Sequence, residues 1–522
     1  MTAAATVTAL AKSVVDAAIV RHRGLDDVNA HQVMLYDIAH AASAVEMCRS
    51  VIDDGEKGTD EGNLACAFIA DVVADLAAKI LGREHLWGVE PGALDGAREF
   101  LGTYRDPEFL ASLAKLNPPS HLDEDFELVA ETFRRFAEDK IAPVAEHIHR
   151  HDQDIPEDLI QGLAELGCFG LSVPEEYGGF ASGGESDYYG MVIATEELSR
   201  ASLGAGGSLI TRPEILTRAL ERGGTEEQKQ HWLPQIATAE TMCAVAVTEP
   251  DYGSDVAQLK VTATPTEGGW VINGVKTWCT FAGRANVLML LARTDPDRSK
   301  GHRGLSLFIV PKESTPGHEF DLRQDAGGRM EGRAIPTLGY RGMHSFEVAF
   351  EDWFVPAENL IGGEEGLGKG FYLQMAGFEN GRLQTAARAV GVMQAAYEEA
   401  VQYAEDRVVF GQPIAEYQLT QAKLGRMASI IRAARQYNYA VAVMMAKGEG
   451  TLEASMVKAY VCKAAEWVTR EAMQIHGGFG FAEEYAVSRL FVDARVLSIF
   501  EGADETLCLK LIARRLLADV ER

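Results

Sequence analysis

Positive charge is scarce in this 522-residue chain. Lys and Arg number 49 against 77 Asp and Glu, a formal net charge of −28. A field of that sign repels phosphate backbones and anionic lipid surfaces, so neither nucleic acid nor a membrane is expected as a partner. Cysteine is sparse too: seven residues, an odd number, with no C-x-x-C pair. That usage reads as reduced thiols in a cytoplasmic protein. No uninterrupted apolar run reaches the length of about 18 residues that a membrane span needs, so none is expected. The first residues, Met-Thr-Ala-Ala-Ala-Thr-Val-Thr-Ala-Leu-Ala-Lys, have no basic region ahead of an apolar run and are not Arg-rich. No secretory signal or transit peptide is read there. Also missing are a G-x-G-x-x-G following a strand, a G-x-S-x-G and an H-E-x-x-H, which removes simple nicotinamide, hydrolase and zincin readings. Gly363–Gly370 approaches a phosphate-binding loop, but the final Ser/Thr is Gly370 and no buried strand precedes it, so it reads as a loop before a helix.

What is present is an ordinary globular composition, 47% hydrophobic and 24% charged, in a chain long enough to bury large cores. The hydrophobic period divides it into four zones. Residues 1–117 form an Ala-rich helical zone, with Leu64, Ala67, Phe68, Val72, Leu76 and Ile80 at helix spacing. It stops at the breaker cluster Asn117-Pro118-Pro119-Ser120. Residues 122–240 are a second helical zone, including a helix opened by Pro213. In residues 241–362 the period shortens to that of strands, expected at 243–248, 269–278, 287–292, 305–310 and 345–350. Asn273-Gly274 between apolar residues predicts a two-residue hairpin turn. From 363 to 522 the helical period returns, with helices expected near 366–405, 414–447, 451–474 and 503–520.

His147, His149 and His151 form an H-x-H-x-H run. On a helix the first and third share a face and the second points elsewhere, so three-ligand metal binding is geometrically poor and no metal is expected. Cys168, Cys243, Cys279, Cys462 and Cys508 sit in apolar surroundings and read as core fillers.

Four segments carry the chemistry. Val247-Thr248-Glu249-Pro250-Asp251-Tyr252-Gly253-Ser254-Asp255 is a strand entering a tight turn. Lys276-Thr277-Trp278-Cys279-Thr280 is a strand. Arg407-Val408-Val409-Phe410-Gly411-Gln412-Pro413 precedes Gln418. Gln474-Ile475-His476-Gly477-Gly478-Phe479-Gly480 is followed by Phe500-Glu501-Gly502-Ala503-Asp504-Glu505. In this order, from about Leu122 to the C-terminus, they resemble the acyl-CoA dehydrogenase family of flavoproteins. The first zone has no counterpart in that family's common core.

The resemblance implies a mainly α fold with a central β domain: a helical domain, a β-barrel-like domain and a C-terminal four-helix bundle, here with an extra N-terminal helical domain. It also implies FAD between the β domain and the C-terminal helices. Val247 and Thr248 match contacts to the pyrimidine end of the flavin, and Trp278 and Thr280 match residues beside the dimethylbenzene ring and N5. Arg407, Gln474 and Gly478 match positions reaching the FAD of a neighbouring subunit, with Phe410 and Gln418 in the same segment. A homodimer or homotetramer follows, with electron-transfer flavoprotein as acceptor. Ala503 and Val409 stand where many relatives carry Thr, so hydroxyl contacts to FAD are expected to be lost there.

The implied reaction is α,β-dehydrogenation of an acyl-CoA, in which a base removes the α-proton while a hydride leaves the β-carbon. A carboxylate needs a solvent-excluded site to become a sufficient base, and the enolate oxygen needs preorganised donors. Glu501 matches the family's base, and its backbone N–H would serve the enolate oxygen together with a ribityl hydroxyl. The bland alternative for Glu501 is an exposed residue at a helix start, where it would favour the macrodipole. Gly502 beside it lets the thioester approach the backbone. The alternative base position on the earlier helix is Gly381, which cannot serve. Ser254, Phe378, Glu379 and Arg382 match the pantetheine channel. The acyl-pocket floor falls near Thr211 and Arg212, where Arg212 is either a solvated cap residue or an anchor for a second carboxylate. The anchor reading makes the substrate a short branched dicarboxylic acyl-CoA, with Arg329, Arg333 and Arg341 as other candidate cations. The rivals are a dehydrogenase for monocarboxylic acyl-CoAs, an acyl-CoA oxidase and a non-catalytic DNA-associated relative.

Overall fold

The computed structural model describes residues 1–25 and 27–519 of the chain. It divides into two compact units, one made of residues 1–128 with 385–522 and the other of residues 129–384. The division falls inside a single 37-residue helix, Gly370–Asp406.

The first unit is helical. Its long elements are Thr2–Arg21, Gln32–Gly55, Thr59–Ile80, the second half of Gly370–Asp406, Gln418–Ala446 and Thr451–Ile475, followed by Ala486–Leu497 and the segment 504–519. The N-terminal zone does not stand apart here: Gln32–Gly55 and Thr59–Ile80 pack against Gln418–Ala446, and Gln32–Gly55 also packs against Thr451–Ile475. Buried charge ties these helices together, with Arg432 Nε and Nη2 gripping the Asp54 carboxylate at 2.6 and 2.7 Å. Such a pair costs desolvation that only good geometry offsets, and breaking it is expensive. Thr2–Arg21 is, by length and average composition, apolar enough to cross a membrane, although its apolar run is not unbroken. Lys12, Ser13 and Asp16 break the run. The apolar residues occupy one face, Ala4, Val7, Ala11, Val14 and Ala18, which is buried against the two helices that follow.

The second unit opens with helices Glu124–Phe136, Ala142–His151, Glu157–Glu165, Glu185–Ala201, Thr211–Gly223 and Glu226–Ala237, the first of them crossing the unit boundary. Glu226–Ala237 starts with a capping box in which Thr225 and Gln228 satisfy each other's backbone amides. Eight strands follow: β1 (Cys243–Ala246), β2 (Thr262–Thr266), β3 (Gly269–Thr280), β4 (Val287–Arg293), β5 (Leu305–Pro311), β6 (Glu319–Arg323), β7 (Arg329–Ala334) and β8 (Ser345–Pro356). They form one sheet in the order β1-β4-β2-β3-β8-β7-β6, with β5 on β4. Every residue of β4 is buried, as the apolar run Val287–Ala292 requires, and Arg293 at its end donates to Leu259 O and Ala257 O.

Asn273-Gly274 is not a hairpin. β3 runs straight through it, with a register shift against β8 between Ile272 and Gly274. The Asn273 side chain instead clasps Asp352 on β8, donating to its carboxylate at 3.0 Å and accepting its amide at 2.9 Å. The hairpin turn lies earlier, at Glu267-Gly268, where Thr266 pairs with Gly269 and Gly268 takes φ 76°.

Candidate active site

In the second unit, a buried ion pair shapes the end of β1. Lys276 Nζ on β3 donates to Val247 O at 2.8 Å and to Glu249 Oε1 at 2.9 Å. Glu249 also accepts the amides of Lys260 and Val261 at 2.7 and 2.9 Å. Burial pushes the Lys276 ammonium down to about 8 despite its carboxylate partner. Thr277 N donates to Thr248 O at 2.8 Å, which sets Thr248 alongside Trp278. Trp278 stands at a second register shift of β3, with φ 57° and an indole 54% exposed. Thr280 shares a 2.9 Å hydrogen bond with Ser345. An open indole face beside a threonine-lined strand edge fits a planar heteroaromatic ring with polar edges, so this donor set accommodates a flavin. Ser254 lies exposed on the following turn, which Glu249 and Tyr252 close through paired backbone bonds at 3.1 and 3.0 Å.

Two packed helices of the same unit carry the other expected substrate residues. Gly377 lies against Ile215, leaving no room for a side chain without displacement, and Asn380 Nδ2 reaches Glu214 at 3.4 Å. This pairs the helix bearing Phe378, Glu379 and Arg382 with the one bearing Thr211 and Arg212. Phe378 and Glu379 are half-buried, while Arg382, Thr211 and Arg212 are buried. Arg212 does not precede its helix as the position of Pro213 suggested. The helix starts at Thr211, and Arg212 donates at 3.4 Å to Ser208 O and Thr211 Oγ1. Arg329 and Arg333 pair with Asp321 and Glu319 on the neighbouring strand, and Arg341 donates to His149 O at 2.7 Å.

In the first unit, Glu501 sits in a left-handed turn at φ 52°, followed by Gly502 at φ 98°. Its carboxylate accepts Thr385 Oγ1 at Oε2, 2.8 Å, and Arg388 Nη2 at Oε1, 2.8 Å. Lys458 Nζ holds Gly502 O at 2.5 Å. Asp504 is buried and accepts Tyr36 Oη at 2.5 Å and His40 Nε2 at 3.0 Å. Against the upward push of burial, those bonds keep the Asp504 carboxyl below its ordinary range. The N-terminal helix Gln32–Gly55 therefore reaches the turn that carries Glu501. Arg407, Phe410, Gln418, Gln474 and Gly478 are all exposed on this single chain, Phe410 at 97%.

Arg388, Thr385, Tyr36 and His40 escaped the motif reading. Arg388 had a signal: it interrupts Ala386, Ala387, Ala389 and Val390, all fully buried. Among the described residues, two side-chain groups converge closely enough for a cation: His40, Asp504 and Cys508, and Asp152, His318 and His344. In each the charges already answer one another. His344 Nε2 lies 3.0 Å from Asp154, and Arg341 Nε lies 3.7 Å from Asp152. His147 and His151 bring their rings to 4.4 Å, one helical turn apart.

Models of the acyl-CoA dehydrogenase N-terminal, middle and C-terminal domains match residues 123–240, 244–353 and 368–517. The chain is 45% identical over 399 residues to (2S)-methylsuccinyl-CoA dehydrogenase of Cereibacter sphaeroides, covering 76% of this chain and 70% of that protein. Butyryl-CoA dehydrogenase of Megasphaera elsdenii superposes with a TM-score of 0.69 at 31% identity, covering 77% of this chain and all of that one. Glutaryl-CoA dehydrogenase in its glutaryl-CoA complex gives 0.69 at 29% identity, covering 77% and 97%.

Proposed function

The chain belongs to the acyl-CoA dehydrogenase family of FAD-dependent flavoproteins, oxidoreductases acting on the CH–CH bond of acyl-CoA, and from that premise we propose that it oxidises (2S)-methylsuccinyl-CoA to mesaconyl-CoA. The observation that carries this reading is Glu501, a carboxylate fixed on a left-handed turn with Gly502 beside it. The 45% identity to a methylsuccinyl-CoA dehydrogenase supports the substrate.

Glu501 takes the α-proton of the thioester, and its backbone N–H faces the oxygen on which charge collects as the enolate forms. Bound FAD supplies the acceptor for the hydride that leaves the β-carbon. Trp278, Thr248 and Thr280 orient the flavin, while Arg407, Phe410, Gln418, Gln474 and Gly478 serve the cofactor of a second subunit in a dimer or tetramer. Ser254, Phe378, Glu379 and Arg382 line the pantetheine path. Electrons pass to electron-transfer flavoprotein, and the enzyme works in the cytoplasm.

Steady-state rates on an acyl-CoA panel test the reading, with electron-transfer flavoprotein and then oxygen alone as acceptor. Methylsuccinyl-CoA should be oxidised fastest and only with the flavoprotein. Preference for a monocarboxylic acyl-CoA overturns the substrate, and hydrogen peroxide formed at full rate makes the protein an oxidase.

A further inference from the structure

We propose that Asp152, Asp154, His318 and His344 form a binding site for a divalent transition-metal ion of the zinc type, separate from the residues assigned to dehydrogenation. All four lie in the second unit. Asp152 and Asp154 follow the helix Ala142–His151, and His318 and His344 directly precede β6 and β8. Ligand atoms of Asp152, His318 and His344 lie within 4.8 Å of one another. His344 Nε2 is 3.0 Å from Asp154 Oδ1 and 3.3 Å from His318 Nε2, which is in turn 3.0 Å from Asp152 O.

The hydrogen bonds that link these groups cannot all be made at once. A carbonyl oxygen only accepts, and so does an ionised carboxylate. His318 Nε2 must therefore carry a hydrogen for Asp152 O, and His344 Nε2 must carry one for Asp154. Two N–H groups then face each other at 3.3 Å, and neither can accept from the other. One dication in place of both protons removes the conflict, and imidazole is a preferred ligand of such ions. The spacing agrees. With metal–ligand bonds of about 2.0–2.1 Å in a tetrahedral site, neighbouring ligand atoms sit about 3.3–3.4 Å apart.

The surroundings suit an ion. Gly317 N donates to Asp154 Oδ2 at 2.6 Å, the kind of outer bond that orients a metal ligand. A cavity of about 130 Å³, lined by Asp154, Gly317 and His344 among others, gives an entry path. Arg341 is the neighbouring cation, with Nε 3.7 Å from Asp152 Oδ1. Its guanidinium is engaged by Thr337 O and His149 O, and Asp152 Oδ2 faces His318 Nε2 at 3.8 Å. A bound ion joins the end of the helix Ala142–His151 to the start of β8. There Ser345 bonds Thr280, so the ion braces the strand edge assigned to the flavin.

The test titrates zinc into tag-free, chelator-treated, FAD-loaded protein and reads stoichiometry and affinity by calorimetry. One zinc ion should bind per chain, and the melting temperature should rise as the site fills. His318→Gln alters a side chain that is 49% exposed, so the fold should tolerate it, and zinc affinity should fall by about tenfold or more. His344→Gln should have at least the same effect. If that variant, changed at a buried position, fails to fold, His318→Gln carries the test. His147 and His151, with rings 4.4 Å apart on one helix, offer zinc a rival pair, so His147→Gln is the control and should leave the affinity unchanged. Absence of zinc binding overturns the site. So does affinity that His318→Gln leaves at the wild-type value, or that His147→Gln lowers in its place.

Discussion

Arg388 and Glu501 face each other at 2.8 Å with both side chains out of water. Arg388 comes from the middle of a long helix and Glu501 from a turn 113 residues later. The residue proposed as base is thus paired with a buried cation in the folded chain. This relationship accounts for an arginine on an otherwise Ala- and Val-lined helix face.

Glu501→Gln keeps the shape of the turn and its hydrogen-bonding oxygen while removing the base. Turnover of methylsuccinyl-CoA should drop by about 10²–10⁴-fold, the usual loss for a general base, with FAD content unchanged. Rapid single-turnover bleaching of the flavin is the direct measurement, and an unaltered rate assigns the proton to another group.

The N-terminal helices hold the same turn from the other side. Tyr36→Phe removes a hydrogen bond to the buried Asp504 carboxylate, an interaction worth about 1.5–3 kcal/mol when one partner is charged. The melting temperature and kcat should both fall, and His40→Ala should deepen both effects through its own bond to Asp504. Unchanged kcat in the double variant means that the N-terminal helices support the fold without steadying Glu501.

Alkaline pH should weaken the fold. Burial pushes the thiols of Cys243, Cys279 and Cys462 up to about 12. Their contribution is complete below the unfolded thiol value of about 8.5 and is lost as pH rises from there towards 12. Lys276 and Lys312 oppose them, since burial lowers both to about 8 and folding gains as pH climbs from there to the unfolded value of about 10.4. Burial raises the other four thiols too, those of Cys48, Cys66, Cys168 and Cys508, so seven thiols outweigh two ammonium groups. The urea midpoint should be lower at pH 10 than at pH 8, and Cys279→Ala should flatten the decline. A rising midpoint contradicts this balance.

Much of this was legible in the sequence because the relevant signals are local. The long helical periods gave Gln418–Ala446 and Thr451–Ile475 within a few residues, and the strand at β4 declared itself through an unbroken apolar run. β6 and β7 were missed because Glu319–Arg323 and Arg329–Ala334 are half-exposed strands with few apolar residues and no β-branched ones. Asn273-Gly274 misled because turn chemistry also suits a bulge, and the partner that decides between them, Asp352, lies 79 residues away. The helix Ala486–Leu497 did carry an apolar stripe, Val487, Leu490, Ala494 and Leu497, all buried. For the site, motif order pointed to Glu501 and the strand residues around Trp278 as candidates. Motif order could not reveal what touches Glu501, since Thr385, Arg388 and the Asp504 partners Tyr36 and His40 converge only after folding.

The most direct measurement is the ratio of kcat/KM for (2S)-methylsuccinyl-CoA to that for (2S)-2-methylbutyryl-CoA, on FAD-loaded wild-type protein with electron-transfer flavoprotein as acceptor. 2-Methylbutyryl-CoA differs from that substrate at one position, a methyl group in place of the distal carboxylate. A ratio of about ten or more is expected if the site is built for a second carboxylate, because the methyl analogue forgoes that charge pairing. A ratio at or below one contradicts a site built for a dicarboxylic acyl-CoA.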